Sequence, residues 1–521
     1  MRHVRRGWRR LARVRGTLRT MRKWLPLLAV SLSTFMLLVD LTIVTIAAPD
    51  LAQELHSSFT ALQWTVDLYV LVLAALLMAA GSLSDRLGHR RVFVAGLVVF
   101  ALASLACGLA PNTGVLIAAR GVQGVGAAAM YATNAALLAV TYAGRDRSVA
   151  FGVWGAANGA AAAAGPILGG LLTQHVGWRS IFLVNLPVAV AAVVLARVAI
   201  PGGRGSAARR IDMPGVASFT VAATLAVYGL IRAGDAGWTD PVTIAVLAGG
   251  AAATAVFLLL ERHRAEPMLD LTLFRRPAFA VLMFGAAALT AAAFANLVFV
   301  SLWAQSVLGL GAMSAGLVLA PLAVVAFVVA GAGGRLLHAV PPRHTIGWGL
   351  LLIAAGTALC TLVGPDSGWH ALVPGLCVTG VGVGLSTPVL ASAALAVAPP
   401  ERAGMTNGAS NTFRQLGYAL ALPVFATVVT GQARDVLSGS GGIADPAETA
   451  KRLTGGGYGG LLGQAPAEVL RTAYAAGLDR IFLFSAVLAA VAGVAVLVLL
   501  RPRAAAPEVR EPEVVGFLQS R

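Results

Sequence analysis

The sequence predicts an all-α polytopic membrane protein of fourteen transmembrane helices, built as two six-helix bundles with two additional helices between them. Three observations predict it. Of 521 residues, 58% are hydrophobic and 12% charged, whereas a soluble domain carries about a quarter charged residues. Apolar runs near the ~20 residues needed to cross a bilayer recur along almost the whole chain. Arginines gather in alternate connections, the pattern of cytoplasmic loops.

The first runs lie near 25–48, 61–83, 91–110, 114–140, 148–172 and 179–200, one bundle over 25–200. Two more, near 213–232 and 241–260, form an inserted pair within 211–261. Six follow near 278–303, 313–338, 345–364, 370–398, 405–430 and 479–501, a second bundle over 278–501. Residues 431–478 are read as one long outer loop, Gly-rich over 455–460 and helical over 467–476.

Residues 1–24 are a basic tail holding Arg2, Arg5, Arg6, Arg9, Arg10, Arg13, Arg15, Arg19, Arg22 and Lys23. Such a tail anchors the N-terminus in the cytoplasm. A cleaved leader fits less well, because the run from Trp24 holds Asp40 and ends without a small-residue cleavage site. Met21, just before Arg22 and Lys23, would itself make an ordinary start. The short cytoplasmic loops then hold, among others, Arg86, Arg90, Arg91, Arg145, Arg147, Arg275, Arg276 and Arg402, and the short outer loops only Arg179 and Arg232. One missed span would invert every later loop, so the bias supports an even count and places the tail 502–521 inside as well.

The net charge of +17 is parcelled among loops and the N-terminal tail rather than gathered in a patch, which argues against nucleic acid as a partner. Cys107, Cys360 and Cys377 sit singly in apolar runs, without disulfide or metal spacing. The eight histidines are scattered over both sides, so no ligand cluster for a metal or a membrane enzyme is expected. No GxxxxGK[ST] phosphate loop is present. Abundant Ala, Gly and Arg with just two lysines suggests a GC-rich bacterial genome.

An internal repeat is visible. Gln123-Gly-Val-Gly126 returns as Thr379-Gly-Val-Gly382, Gly81-Ser-Leu83 as Gly334-Arg-Leu336, and Asp146-Arg147 as Glu401-Arg402, at near-constant offsets. Transporters are often built from such duplicated halves around a midplane site.

The connection between the second and third runs reads Gly81-Ser-Leu-Ser-Asp85-Arg86-Leu-Gly88-His89-Arg90-Arg91. An acid and several guanidinium groups on a tight turn can latch onto each other or onto helix ends, and they can equally form a solvated basic loop. The order glycine, acid-arginine, glycine, two basics resembles the most widespread signature of the major facilitator superfamily. Val39-Asp40-Leu-Thr42-Ile-Val-Thr45-Ile-Ala-Ala-Pro49 resembles the first-helix signature of its fourteen-span drug:proton antiporter family. Arg120-Gly-Val-Gln123-Gly124-Val-Gly126 is similar to the proton-coupling motif of helix 4. Gly152 with Gly165-Pro166-Ile-Leu-Gly169-Gly170 resembles the antiporter motif of helix 5, with Ala161 where the family usually has glycine. Trp178-Arg179-Ser-Ile-Phe-Leu-Val-Asn185-Leu-Pro187 and Asn411-Thr-Phe-Arg414-Gln415-Leu-Gly417 also look like this family.

An ionisable residue within a membrane is a functional candidate by default. Asp40 lies two-thirds along helix 1, and Asp67 near the outer end of helix 2; each is a candidate proton carrier or a hydrogen-bonded structural carboxylate. Arg120 keeps its proton, so its expected role is to set the charge of a nearby acid or to hold a buried network. Arg414 reads as either a second buried cation or a snorkelling side chain. The resemblance implies the major facilitator fold and proton-coupled efflux of a hydrophobic or amphipathic small molecule such as an antibiotic. It implies a site at Asp40, Asp67 and Arg120, and a cytoplasmic gate at Gly81, Asp85, Arg86, Gly88 and Arg90. It further implies a bacterial cytoplasmic membrane setting, no cofactor beyond the proton gradient, and a monomer. Some family members that expel divalent cationic drugs carry an acid within helix 13, where this chain has the uncharged Asn407 and Asn411, which argues against dicationic substrates. Proton symport for uptake and a membrane enzyme are the alternatives.

Overall fold

The computed structural model describes residues 22–500 except 42, 45, 46, 48, 49, 52, 53, 56, 58, 203–211, 265, 266, 337–339, 400, 401 and 442. The first arginines of the basic tail, the loop residues Arg204, Arg209 and Arg210, and the tail 502–521 lie outside the described residues, as do the side chains of Asp67 and Pro166.

A bilayer offers no water to an open backbone, so an apolar chain must satisfy its N–H and C=O groups within helices. The long helices are numbered here in chain order. They are α1 Arg22–Leu41, α2 Phe59–Leu87, α3 His89–Gly108, α4 Thr113–Thr141, α5 Gly144–His175, α6 Ser180–Ala199 and α7 Met213–Ala236. They continue with α8 Pro241–His263, α9 Pro277–Ser306, α10 Ala312–Leu336, α11 Pro342–Cys360, α12 Trp369–Val397, α13 Ala403–Gly439 and α14 Ala467–Leu499. Among the described residues, 12 helices are long and apolar enough to cross a membrane, fewer than the fourteen expected. Outside that set stand α5, whose 32 residues are diluted by Gly, Ala and Asn158, and α11, whose 19 residues open on Arg343 and His344.

Helix starts follow from side chains that accept the orphan N–H groups of the first turn. Asn112 caps α4 through Val115 N, Asp212 caps α7 through Gly215 N, and Asp240 caps α8 through Thr243 N. Proline stands in the first turn of α7, α8, α9 and α11, where its missing N–H costs nothing. The expected long loop 431–478 is much shorter. Helix α13 runs on to Gly439 and α14 begins at Ala467, leaving a connection that itself holds the helices Pro446–Thr454 and Tyr458–Leu461. Leu437, Leu453, Leu461, Leu470 and Tyr474 share one apolar cluster there, so tertiary burial stabilises a stretch whose glycines read as loop.

Each half is a bundle with its own apolar clusters, one around Phe93, Phe100, Phe151 and Trp154, another around Phe279, Leu350 and Val496. The repeat is also a repeat of packing. A β-carbon on Gly96 of α3 would stand 2.9 Å from the Gly126 carbonyl oxygen of α4, and one on Gly349 of α11 would stand 2.9 Å from that of Gly382 on α12. The halves meet along two seams, α5 against α10 and α2 against α13. Helices α7 and α8 pair with each other, and α7 lies against α2 and α13. Trp64 stacks on Tyr228, and Trp238 Nε1 donates to Thr427 Oγ1 at 2.8 Å.

Candidate functional site

Asp40 and Arg120 meet in the core of the N-terminal half, both fully buried. Arg120 Nη1 donates to Asp40 Oδ2 at 2.5 Å and to Gln123 Oε1 at 2.7 Å, and its Nε donates to the Thr65 carbonyl at 3.0 Å. The other carboxylate oxygen, Oδ1, accepts from Gln123 Nε2 at 3.0 Å and from Asn185 Nδ2 at 2.8 Å. Both amides also donate to Ser104 Oγ. The guanidinium lies over the Tyr69 ring, 4.1 Å from its centroid. Five helices, α1 to α4 and α6, thus share one hydrogen-bond network around the carboxylate.

The arrangement follows from cost. A lone charge in an apolar core is prohibitive, and an ion pair is tolerated there when further hydrogen bonds satisfy its remaining groups. Arg120 and Gln123 sit one helical turn apart on α4, so they reach the same acid. The sequence motif contains both. Asn185, Ser104 and Thr65 come from other helices and were not expected; the signal for Asn185 was a polar residue inside an apolar run. Asp67 lies on α2, two residues before Tyr69. A second polar tie joins α1, α4 and α5: Thr34 Oγ1 accepts from Asn134 Nδ2 and Trp154 Nε1, each at 2.8 Å.

The basic connection after α2 binds helix ends. Asp85 accepts from the backbone N–H of Gly404 at 2.6 Å and of Met405 at 2.8 Å, at the start of α13. Arg90 donates to the carbonyl of Ile200, just beyond α6, at 2.9 Å. Each charge therefore stands at the helix end of opposite partial charge. Gly88 has φ 94°, a turn that L side chains rarely adopt. Gly81 stands directly against the Gly404 carbonyl and near Gly408, so any side chain there would part α2 from α13. Residues 268–270 reinforce the seam: Ser82 donates to the Met268 carbonyl, Glu261 accepts from Leu269 N, and Asp270 pairs with Arg402. Beside it, Asn407 donates to the Ala132 and Tyr131 carbonyls at 2.5 and 3.1 Å, and Asn411 to that of Tyr131 at 3.3 Å. This arginine-rich end of the bundle is closed.

On α5, Gly152, Gly165, Gly169 and Gly170 are buried. A β-carbon on nearby Gly155 would stand 3.3 Å from Pro388 of α12. The helix runs along the seam with α10. Among the described residues no group of three or more metal-ligating side chains occurs.

The sequence pattern of the Major Facilitator Superfamily matches residues 30–422. The tetracenomycin C resistance and export protein of Streptomyces glaucescens is 33% identical over 516 residues, covering 94% of each chain. The cephamycin export protein CmcT of Amycolatopsis lactamdurans is 35% identical over 430 residues, 80% of this chain and 85% of that one. The human organic anion transporter MFSD10 has a similar fold, with TM-score 0.59 at 15% identity over 90% of this chain and 99% of that chain.

Proposed function

Because the chain belongs to the major facilitator superfamily, we propose that it exports a hydrophobic or amphipathic small molecule of the antibiotic type in exchange for inward protons. Resistance and export proteins among its relatives support the direction and the substrate type. The observation that carries the mechanism is the buried Asp40–Arg120 pair. Asp40 is the proton carrier: protonation releases Arg120 from it and weakens the ties from Gln123 and Asn185, which loosens the packing of α1 against α4 and α6. Arg120 keeps the carboxylate charged until a proton arrives. Asp67, on α2, is a second candidate carrier.

We read α5 and α11 as spans as well. The molecule is then two six-helix bundles with the pair α7–α8 between them, fourteen spans with both termini in the cytoplasm. The arginine-rich end faces the cytoplasm of a bacterium, across its inner membrane. Asp85 at the start of α13 and Arg90 at the end of α6 latch that side, so the arrangement is the outward-facing one. Gly81, Gly88 and Arg86 serve the latch, and the α5 glycines with Pro166 let α5 slide against α10 as the halves rock. No cofactor is required. One charge moving inward across 100 mV releases about 2.3 kcal/mol, enough to hold a gradient of roughly fifty-fold for a neutral substrate. The chain works as a monomer.

The test is proton-driven accumulation of a dye and antibiotic panel in everted vesicles, comparing the wild type with Asp40→Asn. Coupled transport should vanish in the variant while the protein remains inserted. Equal transport in both would remove Asp40 from the mechanism.

A further inference from the structure

The inserted pair α7–α8 brings two acids together at its inner end. Asp212, just before α7, and Glu261, in the last turn of α8, are both more than nine-tenths buried. Asp212 Oδ1 caps α7 through Gly215 N at 3.0 Å and stands 3.7 Å from Arg264 Nε. Glu261 Oε2 accepts from Leu269 N at 3.0 Å. The remaining oxygens, Asp212 Oδ2 and Glu261 Oε1, are buried without a hydrogen-bond partner among the described residues. They border one small space, because a β-carbon on Gly215 would touch Glu261 Oε1 and stand 2.7 Å from Asp212 Oδ2. An ionised carboxylate offers only acceptors, so two ionised acids here would oppose each other and leave both oxygens unsatisfied.

One proton resolves both faults. Placed on Glu261 Oε1, it removes one charge and supplies the donor that Asp212 Oδ2 lacks. The remaining charge belongs on Asp212, where the first turn of α7 and Arg264 both favour it. Other charges on the surrounding elements are engaged elsewhere: Asp270 with Arg402, Asp85 with the start of α13 and near His89, and Arg276 with the Val397 carbonyl. Arg262, His263 and Arg275 are exposed. A metal ion fits less well, since calcium and magnesium take about six or more ligands and no third acid or imidazole joins the pair among the described residues.

The pair also anchors a strap across the closed end. Leu269, held by Glu261, lies between two ties to opposite halves: the Met268 carbonyl accepts from Ser82 of α2 at 3.2 Å, while Asp270 pairs with Arg402 and its N–H meets Met405 Sδ at the start of α13. We propose that Asp212 and Glu261 form a proton-binding pair whose proton keeps residues 268–270 seated and the arginine-rich end closed. The site rests on its own geometry; its effect rests on the reading of that end as the cytoplasmic latch. The bound proton stabilises closure below the titration of the pair, and that contribution is lost as pH rises through it. Alkaline pH on that side then leaves two adjacent buried charges, unseats the strap and opens the latch.

Infrared difference spectroscopy of the full-length protein with isotope-labelled glutamate reads the site directly and sets it apart from Asp40. The wild type should show a protonated glutamate carboxyl near neutral pH that is lost toward about pH 9, the upper range for buried glutamates, and Glu261→Gln should lack it. Spin labels across the arginine-rich end read the consequence, in chains that carry Asp40→Asn so that the proposed carrier does not titrate. With Glu261 present, the open-to-closed ratio should rise with pH by at most about tenfold per pH unit, the limit for one proton. Glu261→Gln keeps a donor toward Asp212 without a titrating proton, so the rise should be lost and the closed state should persist. Glu261→Ala, which also abandons Leu269 N, should be open at every pH. The proposal is overturned if the wild type shows no protonated glutamate near neutral pH, if Glu261→Gln keeps the full pH response, or if glutamine opens the end as far as alanine. Added sodium or calcium that restores closure at high pH would overturn it in favour of a cation site. The infrared signal is independent of transport, so its absence would strike the proton pair and leave the export reading standing, and absent transport would do the reverse.

Discussion

On α4 Arg120 stands three residues before Gln123; in the repeat on α12 the same place before Thr379 holds Leu376, which packs into an apolar cluster. The glycine crossings next to these positions are alike in both halves, so one backbone framework supports opposite electrostatics. The N-terminal half buries an acid and a base that pair with each other. Among the described residues, the C-terminal half has no such pair at the matching place. The difference teaches a division between the halves: duplicated backbone packing carries a buried ion pair in one and an apolar contact at the matching place in the other.

The largest effect expected tests that division directly. Arg120→Leu copies the C-terminal half and leaves Asp40 buried without its partner, which should cost about 3–5 kcal/mol, read as a fall in the thermal midpoint of the purified protein. Adding Asp40→Asn should recover most of that stability while leaving coupled transport absent. Independent, additive losses would break the view of the pair as one unit.

Next in size is the latch. Asp85→Asn removes the charge from two hydrogen bonds to the start of α13 and should weaken the closed contact by about 1.5–3 kcal/mol. Spin labels across the arginine-rich end should then report a larger open population. Smaller still is Asn407→Leu, which breaks the bonds to the Tyr131 and Ala132 carbonyls. It should shift the same population by about 1 kcal/mol; an unchanged distance distribution would show that these bonds do not hold the seam.

The smallest effect belongs to an exposed ion pair. Glu54 accepts from Arg179 and from Trp178 Nε1, and those hydrogen bonds hold its carboxyl below its ordinary value near 4.5. A lowered folded value means that the contribution is present above about pH 4.5 and lost as pH falls through the folded value. Arg179→Gln should therefore lower the thermal midpoint slightly at pH 7, and by progressively less as the pH falls below about 4.5. Exposed ion pairs are worth little, and a large shift at neutral pH would contradict the screened surface pair described here.

Much of this was legible in the chain. Apolar runs, arginine-bearing loops and the recurring glycine motif specify a helical membrane protein of two related halves, because in a bilayer length and hydropathy alone decide what becomes a helix. Asp40, Arg120 and Asp85 stood out because charge in an apolar run is expensive. The connection after α13 was misread because glycines signal turns locally, whereas burial of Leu437, Leu453 and Leu461 holds that stretch in helices. What the sequence could not decide was pairing. That Asp40 meets Arg120 80 residues away, that Asp85 caps a helix 319 residues later, and that Arg414 meets no acid among the described residues are facts of distance. Spacing along one helix fixes only which face a residue takes; the approach of two helices depends on packing summed over the whole bundle, and the tertiary structure alone determined which charges meet.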